Sequence, residues 1–348
     1  MADTPAIRAG ADGGTFRAVP PDTAVPSELG APGNQNLAPG PTTVLGSGGP
    51  ASRKPLSPGR LAWRRFRRHK AAMVSAVVLI LLSIFVMFPG LLTDWGPNEG
   101  TGVRLEGPSS DHWFGTDTIS RDMLSRVLHG GQISLQVGLA VAIVAAVIGT
   151  VVGVVAGYYG GVLDNLLMRV TDLFLALPLL IALIIMGRLP QRQAWAETLI
   201  GPIGSVRSIV TILSLFFWMG MARIVRGVVL SLKEKEYVEA ARALGASDLR
   251  IMARHLVPNC AGAIVVTVTL NVAAAIITES TLSFLGFGVQ SATTPTWGNM
   301  LNGVEGYTRT APHLVWFPGL AIIITVLCVN FLGDGLRDAL DPKQRKEA

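Results

Sequence analysis

Six long apolar segments constrain this chain more than any other feature. They cover residues 71–92, 133–157, 170–187, 208–225, 261–278 and 314–332. A helix that crosses a bilayer needs ~20 mainly apolar residues. We therefore predict an all-α polytopic membrane protein with six transmembrane helices. The uninterrupted cores of the third and fourth segments, 173–186 and 209–222, are short enough that each could instead be re-entrant.

Composition supports a membrane protein and suggests a division of the chain. Half of the residues are hydrophobic, and only 15% are charged. Residues 1–62 lack an apolar run and are rich in proline and glycine, so we predict a disordered cytoplasmic tail. We then expect an N-terminal transmembrane helix with an extracytoplasmic loop over 63–132 and a five-helix core over 133–338. A cytoplasmic tail at 339–348 completes the chain.

The distribution of basic residues predicts the orientation. If both termini are cytoplasmic, 22 of the 29 Lys and Arg residues lie on the cytoplasmic side and 7 lie outside. This excess follows the positive-inside rule. The basic run at 64–70 directly precedes the first apolar segment, where cations anchor to anionic lipid headgroups. We prefer this membrane role for the run over nucleic-acid binding.

The residue types needed for catalysis, metal binding or ion-driven transport do not form a recognisable pattern. The sequence contains no GxxxxGK[ST] loop, HExxH motif or GxSxG motif. Cys260 and Cys328 have no partner pattern, so we interpret both as small apolar residues. Acidic residues are missing from the middles of the apolar segments, with Glu279 the nearest candidate. We therefore predict a non-catalytic chain without a cofactor, whose transport energy would come from elsewhere.

Two glycine patterns suggest how the helices begin, end and pack. Gly149, Gly153, Gly157 and Gly161 recur every four residues, which predicts one helix face that a neighbouring helix approaches closely. The outer loop at 114–131 has an amphipathic pattern that ends at two consecutive glycines. We expect it to form a separate helix at the outer interface. Contact of this loop with a soluble partner is the alternative.

The segment EYVEAARALGASDLRIMARHLVPN, residues 236–259, is a charged insert between two apolar segments. Its first half is rich in strong helix formers, and Gly245 stands where a helix end favours a left-handed residue. Ser247 is a candidate cap for a second short helix that runs to about His255, before Pro258. The pattern predicts a helix, a sharp turn and a helix on the cytoplasmic side. It fits either a docking element or an inert amphipathic loop.

This insert resembles the EAA loop of binding-protein-dependent ABC importer permeases. In that family the loop is a coupling helix that docks into a cleft on the ATPase subunit. The resemblance implies a cytoplasmic coupling loop at 234–258. The implied ATPase-coupling residues are Glu239, Ala240, Ala241, Leu244, Gly245, Ala246 and Ser247, with Ile251, Leu256 and Pro258 completing the pattern.

Further motifs resemble the dipeptide, oligopeptide and nickel permease subfamily over residues 63–343. They are FGTD…RD at 114–122, AGYYGG at 156–161, LMRVTD at 167–172, LSFLGFG at 282–288, PTWGNML at 295–301 and GDGLRDALDP at 333–342. The chain is most similar to the C-type subunit of a peptide permease, in which an extra N-terminal helix precedes a MetI-like core of five helices. Ser120 departs from the pattern, which commonly has glycine there. The 1–60 tail and the 188–207 segment are poorly matched.

The resemblance implies an ATP-driven importer for di- or oligopeptides, in which this chain forms half of the translocation pathway in the bacterial cell membrane. The implied partners are a second homologous permease, ATP-binding cassette subunits and an extracytoplasmic peptide-binding protein. A nickel complex or glutathione is the alternative cargo, and a stand-alone channel or carrier is a different class of function. The sequence does not identify the substrate-binding residues.

Overall fold

The fold is described by a computed structural model that covers residues 58–188, 198, 200–202, 204–289 and 293–340. The expected disorder of residues 1–57 and the end of the C-terminal tail, 341–348, lie outside the described residues. Within these ranges the regular structure is helical, and the only β pairings are two isolated bridges. The predicted all-α class is therefore confirmed.

The main α-helices of the described residues lie in the following order along the chain. They are α1 (Pro58–Phe66), α2 (Lys70–Met87), α3 (Met123–Tyr159), α4 (Gly161–Ala176), α5 (Leu179–Arg188), α6 (Val206–Leu232), α7 (Glu236–Ala243), α8 (Asp248–Ile251), α9 (Val257–Phe284), α10 (Trp297–Met300) and α11 (His313–Leu340). The structure thus places residues 58–62 in α1 rather than in a disordered tail, because Phe66 packs against Ala72 and Ala339.

Five of the helical stretches in the described residues are long and apolar enough to cross a membrane: α2, α3, α6, the continuous stretch Asp248–Phe284, and α11. A sixth span is present if α4 and α5 are counted together, although they are bent by 88° relative to each other. The bend lies at Pro178, and the preceding Leu177 is extended with ψ 132°. A residue before proline is disfavoured in the helical region, which explains why the third predicted span is broken.

Close packing of α3 against α6 forms the centre of the bundle. A Cβ atom added at Gly149, Gly153 or Gly157 would lie within 2.9 Å of atoms of α6. The glycine face predicted from the sequence therefore packs as expected. Gly161 does not belong to this face, because α3 ends at Tyr159 and Gly161 begins α4 with no atom within 4 Å of an added Cβ.

The outer loop differs from the prediction of a separate interfacial helix. The helical part of the 114–131 pattern is the start of α3, which begins at Met123 and runs without interruption through Gly130 and Gly131. The prediction that these glycines end a helix is wrong. An added Cβ on Gly131 would lie 2.8 Å from the Trp297 ring, so the glycine allows close packing with α10 instead.

Glu279 in α9 is a fully buried, hydrogen-bonded carboxylate. The Ser283 hydroxyl donates to its Oε1 atom at 2.7 Å, and the Ser134 hydroxyl of α3 lies 3.4 Å from its Oε2 atom. The Trp297 backbone N–H donates to the same Ser134 hydroxyl oxygen. The cluster therefore connects α3, α9 and α10.

Candidate functional site

The candidate site lies between α6 and α9. It comprises α7, the turn after it and α8, and we call it the coupling segment (residues 236–251). It begins with α7, whose first turn carries Glu236 and Glu239 and whose last turn carries Arg242. Acidic residues at the start and a basic residue at the end complement the helix dipole. The local sequence thus favours a short helix at this position.

A tight turn ends α7 at the predicted residue. Gly245 has a φ of +80°, a conformation that costs other residues more than glycine. Its N–H donates to the Arg242 carbonyl, and the Ala246 N–H donates to the Ala241 carbonyl, both at 3.0 Å. These two bonds form a Schellman motif, which satisfies the last carbonyl groups of α7. No atom lies within 4 Å of a Cβ added at Gly245, so the requirement for glycine is conformational.

One side of the coupling segment packs against the protein itself. Val238 and Ile251 are fully buried, in a cluster with Val229 of α6. Ala241 and Ala246 pack against the same cluster. These small residues beside the turn therefore allow the segment to pack against its own bundle. The sequence pattern alone did not show whether they face the bundle or another protein.

The other side of the coupling segment is exposed. It carries Leu244, which is 88% exposed, and Leu249, which is 73% exposed. The remaining outward members of the predicted set are Glu239, Ala240, Gly245 and Ser247. Ser247 occupies the N-cap position of α8 but makes no side-chain cap hydrogen bond. Two large apolar side chains on an exposed turn are typical of a surface that another protein covers.

A tyrosine that the sequence analysis did not single out holds the coupling segment to the bundle. Tyr158, near the end of α3, donates its hydroxyl hydrogen to Asp248 Oδ1 at 2.6 Å. The Arg242 guanidinium lies over the same ring, 5.8 Å from its centroid. Tyr158 belongs to the AGYYGG motif, but only the fold brings it next to a residue 90 positions later.

The coupling segment continues into α9 without a break. The sequence analysis places a helix end near His255 and a restart at Pro258. The structure instead has a π-helical turn, Met252–Leu256, in which the Val257 N–H donates to the Met252 carbonyl. This wider turn leaves room for Pro258, which has no backbone N–H group to donate. Helix α8, the π turn and α9 therefore form one continuous rod.

Two ion pairs connect α4 to α6. Arg226 binds Asp164 with two hydrogen bonds, Nε to Oδ1 at 2.5 Å and Nη2 to Oδ2 at 2.6 Å. Arg223 Nη2 contacts Asp172 Oδ1. The sequence analysis did not pair these residues, because they lie more than 50 positions apart. In the described ranges, no three His, Cys, Asp or Glu side chains come together in a way that could hold a metal ion.

Two family models and several relatives match this chain. Residues 149–346 match the family "Binding-protein-dependent transport system inner membrane component", and residues 57–108 match "N-terminal TM domain of oligopeptide transport permease C". The glutathione transport system permease protein GsiD of Shigella flexneri serotype 5b (strain 8401) is 43% identical over 284 residues, covering 81% of this chain and 89% of that protein. GsiD of Escherichia coli O157:H7 is 42% identical over the same length and shares of the two chains.

A solved structure shares the fold. A chain of the MetNI methionine ABC transporter in inward-facing conformations superposes with a TM-score of 0.51 at 20% sequence identity. The match covers 63% of this chain and 98% of that one. At this identity the similarity concerns the arrangement of the helices.

Proposed function

The chain belongs to the family of binding-protein-dependent transport system inner membrane components, and from this premise we propose that it conducts peptide-like cargo in an ATP-driven importer. The chain is a membrane-spanning permease subunit of an ABC importer.

The match of residues 57–108 to the N-terminal domain of an oligopeptide permease is the observation that carries the peptide-like cargo. The GsiD relatives are named for glutathione transport, so glutathione is the second candidate. Glutathione is itself a modified tripeptide, with an ammonium group and two carboxylates. Both candidates therefore present similar charged groups to the permease.

The coupling segment is proposed to dock on an ATP-binding cassette subunit at the cytoplasmic side. Its outward residues Glu239, Ala240, Leu244, Gly245 and Ser247 would face that partner. The exposure of Leu244 and Leu249 supports this role, since a docked subunit would cover both side chains. Its inward contacts and the continuous rod into α9 would let a displacement of the segment move the bundle as a unit.

The complete importer would contain further chains. We propose a second homologous permease as the other half of the pathway, ATP-binding cassette subunits and an extracytoplasmic binding protein. Both termini would be cytoplasmic, as the Lys and Arg distribution favours. ATP hydrolysis would then belong to the partner subunits.

The test is cargo-stimulated ATP hydrolysis by the purified complex, reconstituted in lipid with its binding protein. Dipeptides, tripeptides, longer peptides, glutathione and a nickel complex would be compared at equal concentration. Stimulation by peptides is expected. Stimulation by glutathione alone would identify glutathione as the cargo in place of peptides. Stimulation by the nickel complex alone would exclude both peptides and glutathione.

A further inference from the structure

The first described residues form a basic segment at one end of a membrane span, which we call the basic elbow (residues 58–70). It consists of α1, a turn over residues 67–69, and Lys70 at the start of α2. Helix α2 has 18 residues, or ~27 Å, against a hydrocarbon thickness of ~30 Å. Because the helix is no longer than the layer that it crosses, Lys70 and the residues before it lie at the level of the lipid headgroups.

The exposed surface of the basic elbow is strongly cationic. Its exposed basic side chains are Arg60, Arg64, Arg67, Arg68 and Lys70. The sequence contains no Asp or Glu between residues 58 and 93 to offset them. The exposed acidic residues on the adjoining end of α11 are Asp334 and Asp338, and Asp338 Oδ2 lies 3.8 Å from His69 Nε2. The basic side chains outnumber these carboxylates, so the surface complements an anionic partner.

Trp63 places an aromatic ring beside these charges. Its side chain is 60% exposed, and its ring stacks on Phe66 with the two centroids 5.9 Å apart. Exposed tryptophan next to arginine is typical of a membrane–water interface, where the ring lies among the headgroups. Since the basic elbow continues directly into a span, an anionic lipid surface fits it better than a soluble acidic partner.

The buried side of the basic elbow packs against the end of α11. Phe66 is 7% exposed and packs with Ala72 of α2 and Ala339 of α11. A Cβ atom added at Gly335 of α11 would lie 2.3 Å from Ala72 Cβ and 3.4 Å from Phe66 Cε2. The three helices are therefore in close contact, and a displacement of the basic elbow acts on the end of α11.

The end of α11 contacts the rod that carries the coupling segment. A Cβ atom added at Gly262 of α9 would lie 3.7 Å from Leu340 Cβ, which is ordinary van der Waals contact. Just before this glycine, the fully buried Cys260 belongs to the same cluster as Val238 and Ile251 of the coupling segment. Direct contacts therefore run from the basic elbow through α11 and α9 to the coupling segment.

We propose that the basic elbow binds the anionic headgroups of membrane phospholipids, and that this binding holds the end of α11 against α9 while the coupling segment acts. The second half rests on the proposed function, because it requires coupling to an ATPase. Arginine forks bind a headgroup phosphate with parallel hydrogen bonds, and each cation near an anionic surface adds to the attraction. The importer then couples cargo to ATP hydrolysis more efficiently in membranes that contain anionic lipid.

Photo-cross-linking from position 63 tests the lipid contact. A photoreactive amino acid would replace Trp63 in the intact complex, embedded in nanodiscs of equimolar phosphatidylcholine and phosphatidylglycerol. We expect phosphatidylglycerol adducts to exceed phosphatidylcholine adducts at least about threefold. Arg60→Gln/Arg64→Gln should lower that ratio at least about twofold, since glutamine keeps the helix propensity and removes two charges. Arg104→Gln/Arg309→Gln, which removes two exposed charges from the loops after α2 and before α11, is the matched control and should keep the ratio.

Three results would overturn the headgroup site. Equal adducts of the two lipids would make the basic elbow an ordinary membrane contact. Adducts with another protein subunit in place of lipid would assign the surface to a protein partner. An unchanged ratio in Arg60→Gln/Arg64→Gln would show that the charges of α1 do not bind the headgroups.

Cargo-stimulated ATP hydrolysis tests the link to coupling. It would be compared in phosphatidylcholine nanodiscs with and without phosphatidylglycerol. Stimulation of the wild type should be at least about twofold larger with phosphatidylglycerol, Arg60→Gln/Arg64→Gln should lose this difference, and Arg104→Gln/Arg309→Gln should keep it. Equal stimulation of the wild type in both lipids would overturn the link. Absence of stimulation by any cargo would contradict the proposed function and the link together, while the cross-linking ratio would still decide the headgroup site.

Discussion

Gly245 is the residue on which the coupling segment most depends. Its left-handed conformation closes α7 and redirects the chain into α8. The space around it is empty, so the identity of the residue matters through its backbone and not through contacts. A glycine at a helix end, followed by a cap residue, was enough to predict this turn from the sequence.

Gly245→Val should reduce transport strongly while the complex still assembles in the membrane. A left-handed conformation costs a non-glycine residue ~1–2 kcal/mol, and more when it is β-branched. Gly245→Asn is the matched control, because asparagine tolerates this conformation and should keep most of the activity. The measurement is cargo-stimulated ATP hydrolysis together with cargo uptake. Normal uptake by Gly245→Val would mean that the turn does not take part in coupling.

Ser120→Gly should stabilise the protein. Ser120 has a φ of +68°. The permeases that this chain resembles commonly have glycine at this position. The Ser120 carbonyl accepts a hydrogen bond from the Thr101 N–H at 2.6 Å, and this bond does not need the side chain. We expect the free energy of unfolding to rise by about 1 kcal/mol, measured as a higher Tm of the purified complex. A lower Tm would show that the Ser120 hydroxyl stabilises the fold by more than the left-handed backbone conformation destabilises it.

At the scale of helices, the sequence predicted which stretches are helical better than where they end. The glycine face of α3 and the turn at Gly245 follow from local spacing, which the fold preserves. The continuation of α3 through Gly130 and Gly131 could not be predicted locally, because it depends on Trp297, more than 160 residues away. The same holds for the contact of Tyr158 with Asp248 and for the ion pairs of α4 with α6.

Tyr158→Phe should loosen the coupling segment without unfolding the bundle. The change removes one hydrogen bond to a carboxylate, a contact typically worth about 1.5–3 kcal/mol. Amide hydrogen exchange of residues 236–251 should therefore become at least about tenfold faster, while exchange in the centre of α3 stays the same. Tyr307→Phe is the control, because Tyr307 is 37% exposed and lies between α10 and α11, outside the coupling segment. Unchanged exchange in Tyr158→Phe would show that Val238 and Ile251 suffice to hold the segment.

At the scale of the whole molecule, the chain combines a membrane bundle with a segment that is packed on one side and open on the other. Helices α3 and α6 pack at the centre of the bundle, and Tyr158 and Val229 near their ends contact the coupling segment. The segment therefore lies at one end of the bundle. The packed glycines of α3 contact Met221, Val225 and Val229 of the same α6 helix. Helix α6 therefore connects the centre of the bundle to the proposed coupling site.

The most direct test of this account is site-specific photo-cross-linking from Leu244 in the intact complex in its native membrane. A photoreactive amino acid at position 244 should form a product with the ATP-binding cassette subunit, identified by mass spectrometry. The same amino acid at Leu166, which is 60% exposed on α4, should not form that product. A cross-link to the ATPase from position 166 but not from position 244 would contradict the proposed coupling site, as would the absence of any ATPase product from position 244.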